Sequence, residues 1–402
     1  MYRSFFALAL CFFCLTGLAQ EQPYDLTYTR PSAAFNTDRT FYVHVPELYY
    51  DTEEAFGVIY VLDAQATSFY NQAKSIADYL VWSSHLFPVI VVGIHSENRG
   101  IEFIPKDHTK PLDDENNNGQ AEVLQDHLNN EVFPFIKENF RVNEFRALIG
   151  HSRGGAFIAH TLFGEQKDLF HAYIAISPAM HYLNNQILND ARKRITQKES
   201  FQKFFFGTHG TVGSNERFFG PQVQYLDSLV AEHPNPTLHW HTRQIDEVSH
   251  WGVVAPSLDF GLLEMNRAYQ VDEFLIEQFA ANTQKSMTQQ IKEYENQQTQ
   301  KLGYFVSLSA RSLRRYADNL GEEAQYAPAL ELYEMALAKD TYDIRSYFGK
   351  AWVQEELGSP TKSIATYEAA KTMLNAKKHA LSEEDTEKWL RRVAKELERL
   401  KG

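Results

Sequence analysis

The sequence predicts an α/β protein: a mostly parallel sheet with helices on both faces, followed by a smaller all-α repeat region. Three observations predict it. Short continuous apolar runs alternate with longer stretches of helical spacing, the pattern of a sheet covered on both sides. One run, Phe145-Arg146-Ala147-Leu148-Ile149, leads into Gly150-His151-Ser152-Arg153-Gly154 and then Ala156 to Phe163, which reads strand, tight turn, helix. After about residue 280 no buried-strand run follows, and the chain turns Gln-, Lys- and Glu-rich.

Taken in order, residues 1–19 read as a secretory signal peptide. Arg3 is the positive start, Phe5 to Leu15 the apolar run, and Gly17-Leu18-Ala19 the small-residue cut site before Gln20. The run is too short for a comfortable membrane span. Both cysteines, Cys11 and Cys14, lie inside it, so the mature chain would hold no disulfide, thiol nucleophile or thiolate metal site. This points to a secreted or periplasmic protein. A net charge of -13 argues against nucleic acid or an anionic membrane as partner.

Strands are expected at Thr40–Pro46, Gly57–Asp63, Phe87–Ile94, Phe145–Ile149, His171–Pro178, Lys203–Gly207 and Leu238–Thr242. Helical spacing appears around Tyr70–Trp82 and Gln120–Asn139, with a polar loop at 105–119 between the third strand and the second helix. The expected domains are 20–280 for the sheet and 281–402 for the helices. Within the second, Tyr333 and Tyr367, Glu334 and Glu368, and Ala336 and Ala370 are each 34 residues apart. That is the tetratricopeptide period, and Leu357-Gly358 is taken as that repeat's Leu-Gly pair.

The chemistry centres on Ser152. Between strand and helix, G-x-S-x-G is a nucleophile elbow: the turn is tight enough to require glycines around a serine held at a helix N-terminus. A serine hydroxyl needs a base to take its proton, and in this arrangement the chain order is serine, carboxylate, histidine. His250, in Asp246-Glu247-Val248-Ser249-His250-Trp251-Gly252, follows the last strand and is the candidate base. Glu216 is the only carboxylate in the loop after the penultimate strand and is the favoured acid. Asp246, Glu247 and a Ser–His dyad without an acid stay open as alternatives. The oxyanion needs two N–H donors. Arg153 should supply one, and Ala64 or its neighbour Gln65 the other. Arg99 and Trp251 are the candidate substrate contacts.

Three other patterns carry less. Asp114, Asn116, Asn118 and Gly119 imitate the start of an EF-hand loop, but Gln125 stands where the bidentate glutamate belongs. His239 and His241 share a strand face without a third ligand in register, so no metal or other cofactor is expected. Phe204-Phe205-Phe206 reads as core strand.

The segment from about Arg39 to Arg267 resembles the esterase D family of α/β-hydrolases, which includes enterochelin, feruloyl and acetylxylan esterases. The landmarks are Val58-Ile59-Tyr60-Val61-Leu62-Asp63, Val91-Val92-Gly93-Ile94 with Asn98-Arg99, Leu128 to Ile136, the Gly150–Gly155 elbow, Ile176-Ser177-Pro178, and His250-Trp251-Gly252. The resemblance implies Ser152 as nucleophile, His250 as base and Glu216 at the place of the acid. One departure is Ala64, where the family usually has glycine. The expectation is a serine esterase working through an acyl-enzyme on a small-molecule or polysaccharide-linked ester. The alternatives are an acyltransferase using the same site, or a non-catalytic protein binding a protein partner through its helical repeats.

Overall fold

A computed structural model describes residues 24–111, 113–197, 199–376 and 381–402. The expected signal peptide and both cysteines lie outside these residues. Eight strands form one sheet: β1 (Asp25–Ser32), β2 (Thr37–His44), β3 (Phe56–Val61), β4 (Val89–Ile94), β5 (Val142–His151), β6 (Ala172–Ile176), β7 (Lys203–His209) and β8 (Leu238–Gln244). Their order is β1-β2-β4-β3-β5-β6-β7-β8. The pairs β1/β2 and β2/β4 are antiparallel, and every pair from β4 to β8 is parallel. Strand β1 was not expected. Its residues are mostly polar and exposed, as an edge strand tolerates, so it lacks the apolar run that marks the others.

The alternation of side chains along the strands divides the core in two. On one face Val58, Tyr60, Leu148, Tyr173 and Phe205 pack against the helical stretch 121–139 and the helices Arg153–Phe163, Tyr182–Thr196 and Ser214–Glu232. On the other, Ile59, Val61, Ala147, Ile149, Ile174 and Phe206 pack under Thr67–Trp82 and Val254–Tyr269. The parallel strands therefore all end on one edge, where a parallel sheet places its ligands.

The elbow is built by close approach. A Cβ on Gly150 would stand 2.6 Å from the backbone carbon of Gly154, so strand and helix can cross only if position 150 has no side chain. Ser152 takes up the strain with φ 59° and ψ -113°, a conformation costing about 1–3 kcal/mol. Its N–H donates to Ile176 O at 2.9 Å, and its carbonyl accepts from Ala156 and Ala179, both at 3.0 Å. These bonds on either side hold the turn.

The C-terminal helices sit at the opposite end of the sheet. Tyr304 packs on Phe145 and His171, at the starts of β5 and β6, with ring centroids 5.9 and 4.8 Å away. Glu54, before β3, accepts from the Ala310 N–H at 2.8 Å, and Arg315 reaches the Ser83 carbonyl before β4. Val271 and Ile276, which precede residue 280, share a core cluster with Met287, Leu313, Tyr333 and Val353. The hairpin helices begin at Ala310 and Tyr326, and the next pair at Ile344 and Pro360, an offset of 34 for both (344 − 310 and 360 − 326). Tyr333 and Tyr367 are buried, as are Ala336 and Ala370. Leu357-Gly358 lies at the turn between the two helices of the second pair. Leu357 caps Ile344–Glu356 and is 42% exposed, and Gly358 makes the turn with φ 69°.

Candidate active site

Consecutive strand ends supply the site. Asp63 follows β3, Ser152 β5, Ser177 β6, Glu216 β7 and His250 β8. Asp63, Ser152 and Ser177 all have positive φ, at 60°, 59° and 41°. A β-to-turn transition with this backbone turns the side chain sharply out of the strand path.

His250 is buried and held on several sides. Its Nδ1 lies 2.8 Å from Glu216 Oε1 and 2.9 Å from Ser177 Oγ. The Ser177 hydroxyl itself donates to Glu216 Oε1 at 2.6 Å. With a carboxylate as its partner, Nδ1 carries the proton, which leaves Nε2 as the basic edge. The His250 carbonyl accepts from His151 Nε2 at 2.9 Å, and the two imidazole rings lie 4.3 Å apart. Phe219 meets the His250 ring edge-on at 5.3 Å. His151 directly precedes Ser152, so this contact binds the histidine loop to the serine turn. Among the described residues Ser152 Oγ makes no hydrogen bond. Hydrogen bonds of catalytic groups often tighten only around substrate.

Glu216 sits in the first turn of Ser214–Glu232, where the helix dipole favours a negative charge. Burial pushes its carboxyl up. Donors from His250, Ser177 and the Gly210 N–H (2.5 Å to Oε2) outweigh burial and hold it below the usual carboxylate range. The loops carrying Glu216 and His250 are tied together. The N–H groups of Thr211 and Val212 both donate to Val248 O, at 3.1 and 3.0 Å. Asp246 instead accepts from the exposed Gln244 side chain at 2.6 Å, and no contact joins Asp246 or Glu247 to His250 among the described residues.

The oxyanion expectation needs one correction. The Ala64 N–H donates to Ile94 O at 3.0 Å, so it is not free. The N–H groups of Gln65 and Arg153 make no hydrogen bond among the described residues. Gln65 is itself fixed: its amide donates to Asp63 Oδ1 at 2.8 Å and accepts from the Ser96 N–H at 2.9 Å. Arg99 is bound to the same carboxylate, with Nε 2.9 Å from Asp63 Oδ1 and Nη2 2.8 Å from Oδ2. Its charge is thus matched by Asp63 and its fork is occupied. Trp251 lies at the mouth, 74% exposed, with its ring 5.4 Å from that of His250. Phe218, 54% exposed, meets His181 at 4.9 Å nearby.

Sequence reasoning missed Ser177, Asp63, Tyr182 and the anchoring role of His151. Ser177 and Asp63 carried a signal: each is a polar residue closing an otherwise continuous apolar strand. Tyr182 carried none.

The strand order and the elbow define an α/β-hydrolase. The family described as "Putative esterase" matches residues 32–244, more than half of the chain, and the chain belongs to it. A siderophore enterobactin esterase of Emericella nidulans is 34% identical over 109 residues, 27% of this chain and 33% of its own length. The chain thus spans about a third of the curated relative it matches. An IroE-like serine hydrolase from Shewanella oneidensis superposes with TM-score 0.66 at 19% identity, over 78% of this chain and 99% of its own. An uncharacterised protein from Capnocytophaga ochracea superposes with TM-score 0.63 at 13% identity, over 94% of this chain and 99% of its own. The second superposition takes in the helical region as well as the sheet.

Buried histidines make stability depend on pH. Burial, with help from nearby cations or imidazoles, pushes His151, His171 and His239 each down to about 3. The unfolded chain protonates them near pH 6.5, roughly. The unfolded state therefore binds more protons between those values, and stability is lost as pH falls through the window. The urea midpoint should drop between about pH 7.5 and about pH 5. An equal or higher midpoint at the lower pH would contradict this burial.

Proposed function

We propose that this protein is a secreted or periplasmic serine esterase that works through an acyl-enzyme on Ser152. The observation carrying the reading is the His250 clamp: Nδ1 is engaged by Glu216 and Ser177, Nε2 is left basic, and the His250 backbone carbonyl is tied to the strained serine turn through His151.

Ser152 Oγ attacks the ester carbonyl while His250 Nε2 takes its proton. The carbonyl oxygen, now an anion, sits against the N–H groups of Arg153 and Gln65 at the N-terminus of Arg153–Phe163. As the tetrahedral centre collapses, the bond to the alcohol oxygen breaks and His250 returns the proton to it. Water then attacks the acyl-serine with His250 again as base, releasing the acid and restoring the hydroxyl. Glu216 keeps the imidazole in its tautomer and stabilises the imidazolium. Trp251 and Phe218 form an aromatic rim for a small-molecule ester. The siderophore ester named for the Emericella relative is one such substrate. Export rests on the leader pattern of residues 1–19, and no helix among the described residues is long and apolar enough to cross a membrane. We read the helix pairs offset by 34 residues as tetratricopeptide-like repeats available to a protein partner.

A fluorophosphonate probe should label the wild type and leave Ser152→Ala unlabelled. A wild type that stays unlabelled and cleaves no short-chain aryl ester would overturn the reading. Glu216→Gln should lower kcat on such an ester by roughly a thousandfold or more, while Asp246→Asn should stay within about twofold, as for a solvated surface carboxylate. A large loss in Asp246→Asn alone would reassign the acid.

A further inference from the structure

The half-buried guanidinium of Arg153 has no carboxylate within ion-pair distance among the described residues. Other arginines differ. Arg99 is matched by Asp63, and the half-buried Arg141 and Arg146, which also have no carboxylate within that distance among the described residues, spend their guanidinium groups on backbone carbonyls. A cation withdrawn from water without a counter-charge is costly, and the chain as a whole is strongly acidic. Arg153 nevertheless directly follows the nucleophile. Its Nε donates to the Tyr182 hydroxyl at 2.8 Å, and the guanidinium carbon stands 5.5 Å from that ring. Tyr182 therefore fixes the base of the fork and leaves the two Nη groups without a hydrogen bond among the described residues. On the Nη1 side lies Gly100, where a Cβ would come to 3.6 Å, so residue 100 itself places no side chain against that edge.

A second polar atom nearby also lacks a partner. Nδ1 of His181, next to Tyr182, is buried without a hydrogen bond among the described residues. Its ring lies 4.3 Å from Tyr182 and 4.9 Å from Phe218. Burial and the Arg153 charge both push His181 down, which keeps it neutral. A neutral ring with its proton on Nδ1 supplies a further donor without a further charge.

We propose that Arg153, held by Tyr182 and flanked by His181, is an anion subsite beside Ser152, and that the preferred ester carries a carboxylate on its acyl or its alcohol half. Two Nη donors in one plane match the two oxygens of a carboxylate. This rests on Ser152 being the nucleophile. It goes further in naming a charge on the substrate, which neither the aromatic rim nor the oxyanion donors require.

Two substrate pairs separate the halves. For the acyl half, para-nitrophenyl hemisuccinate is compared with para-nitrophenyl pentanoate. For the alcohol half, meta-acetoxybenzoate is compared with its methyl ester. The quantity read is the ratio of kcat/KM, anionic over neutral ester, within each protein, so a general loss of activity cancels. In one pair, Arg153→Gln should lower the ratio by about tenfold or more, chiefly through KM, the size expected for losing a hydrogen-bonded charge. Arg153→Lys should retain part of the preference, and Tyr182→Phe should lose part of it by freeing the fork. Added salt should raise the wild-type KM for the anionic ester alone. If Arg153→Gln does not fold, the lysine and phenylalanine variants and the salt response carry the test. Cleavage of the neutral esters with ratios that change less than about twofold in both pairs overturns the subsite and leaves the esterase reading intact. A wild type that cleaves none of the four esters and takes no fluorophosphonate overturns both.

Discussion

The Glu216–His250 hydrogen bond is the contact on which the rest of the site depends. It fixes the imidazole tautomer, and a free Nε2 follows from that. It has to form out of water, because both residues are buried, and a carboxylate taken out of water is stable only if its oxygens are satisfied. Ser177 and the Gly210 N–H complete that set, so the strand end at β6 and the turn after β7 are both committed to one carboxyl. The backbone of His250 is gripped in turn by His151. Serine turn, histidine loop and acid loop thus form one connected network, and a shift in any of them moves the base.

The two ends of the sheet do different work. At the C-terminal ends of the strands, polar residues with positive φ break the strands and gather the site. At the N-terminal ends, Phe145, His171 and the loops before β3 and β4 are covered by Tyr304 and the following helices. Helices packed there leave the Ser152 end uncovered. In the segment after Tyr182, Leu183, Asn184 and Asn185 run successively through left-handed backbone. Three non-glycine residues in that conformation cost strain, and they directly follow Tyr182, which holds Arg153.

What was legible in the sequence follows from periodicity and chain order. The parallel strands showed because each is buried on both faces and so reads as an unbroken apolar run. Ser152, Glu216 and His250 showed because their loops succeed those strands in a fixed order. What escaped depends on partners distant in sequence. No local pattern tells that the Ala64 N–H is taken by Ile94, or that Arg99 is held by Asp63. Strand β1 escaped because an edge strand needs no apolar run.

The central claim is that His250, held by Glu216 and Ser177, activates Ser152 to carry the acyl group. Peptide mapping by mass spectrometry, on protein quenched in acid during turnover of a slowly deacylated aryl ester, tests it most directly. The acyl mass increment is expected on the peptide containing Ser152, and none in Ser152→Ala. An increment on another residue, or turnover by Ser152→Ala at the wild-type rate, would contradict it.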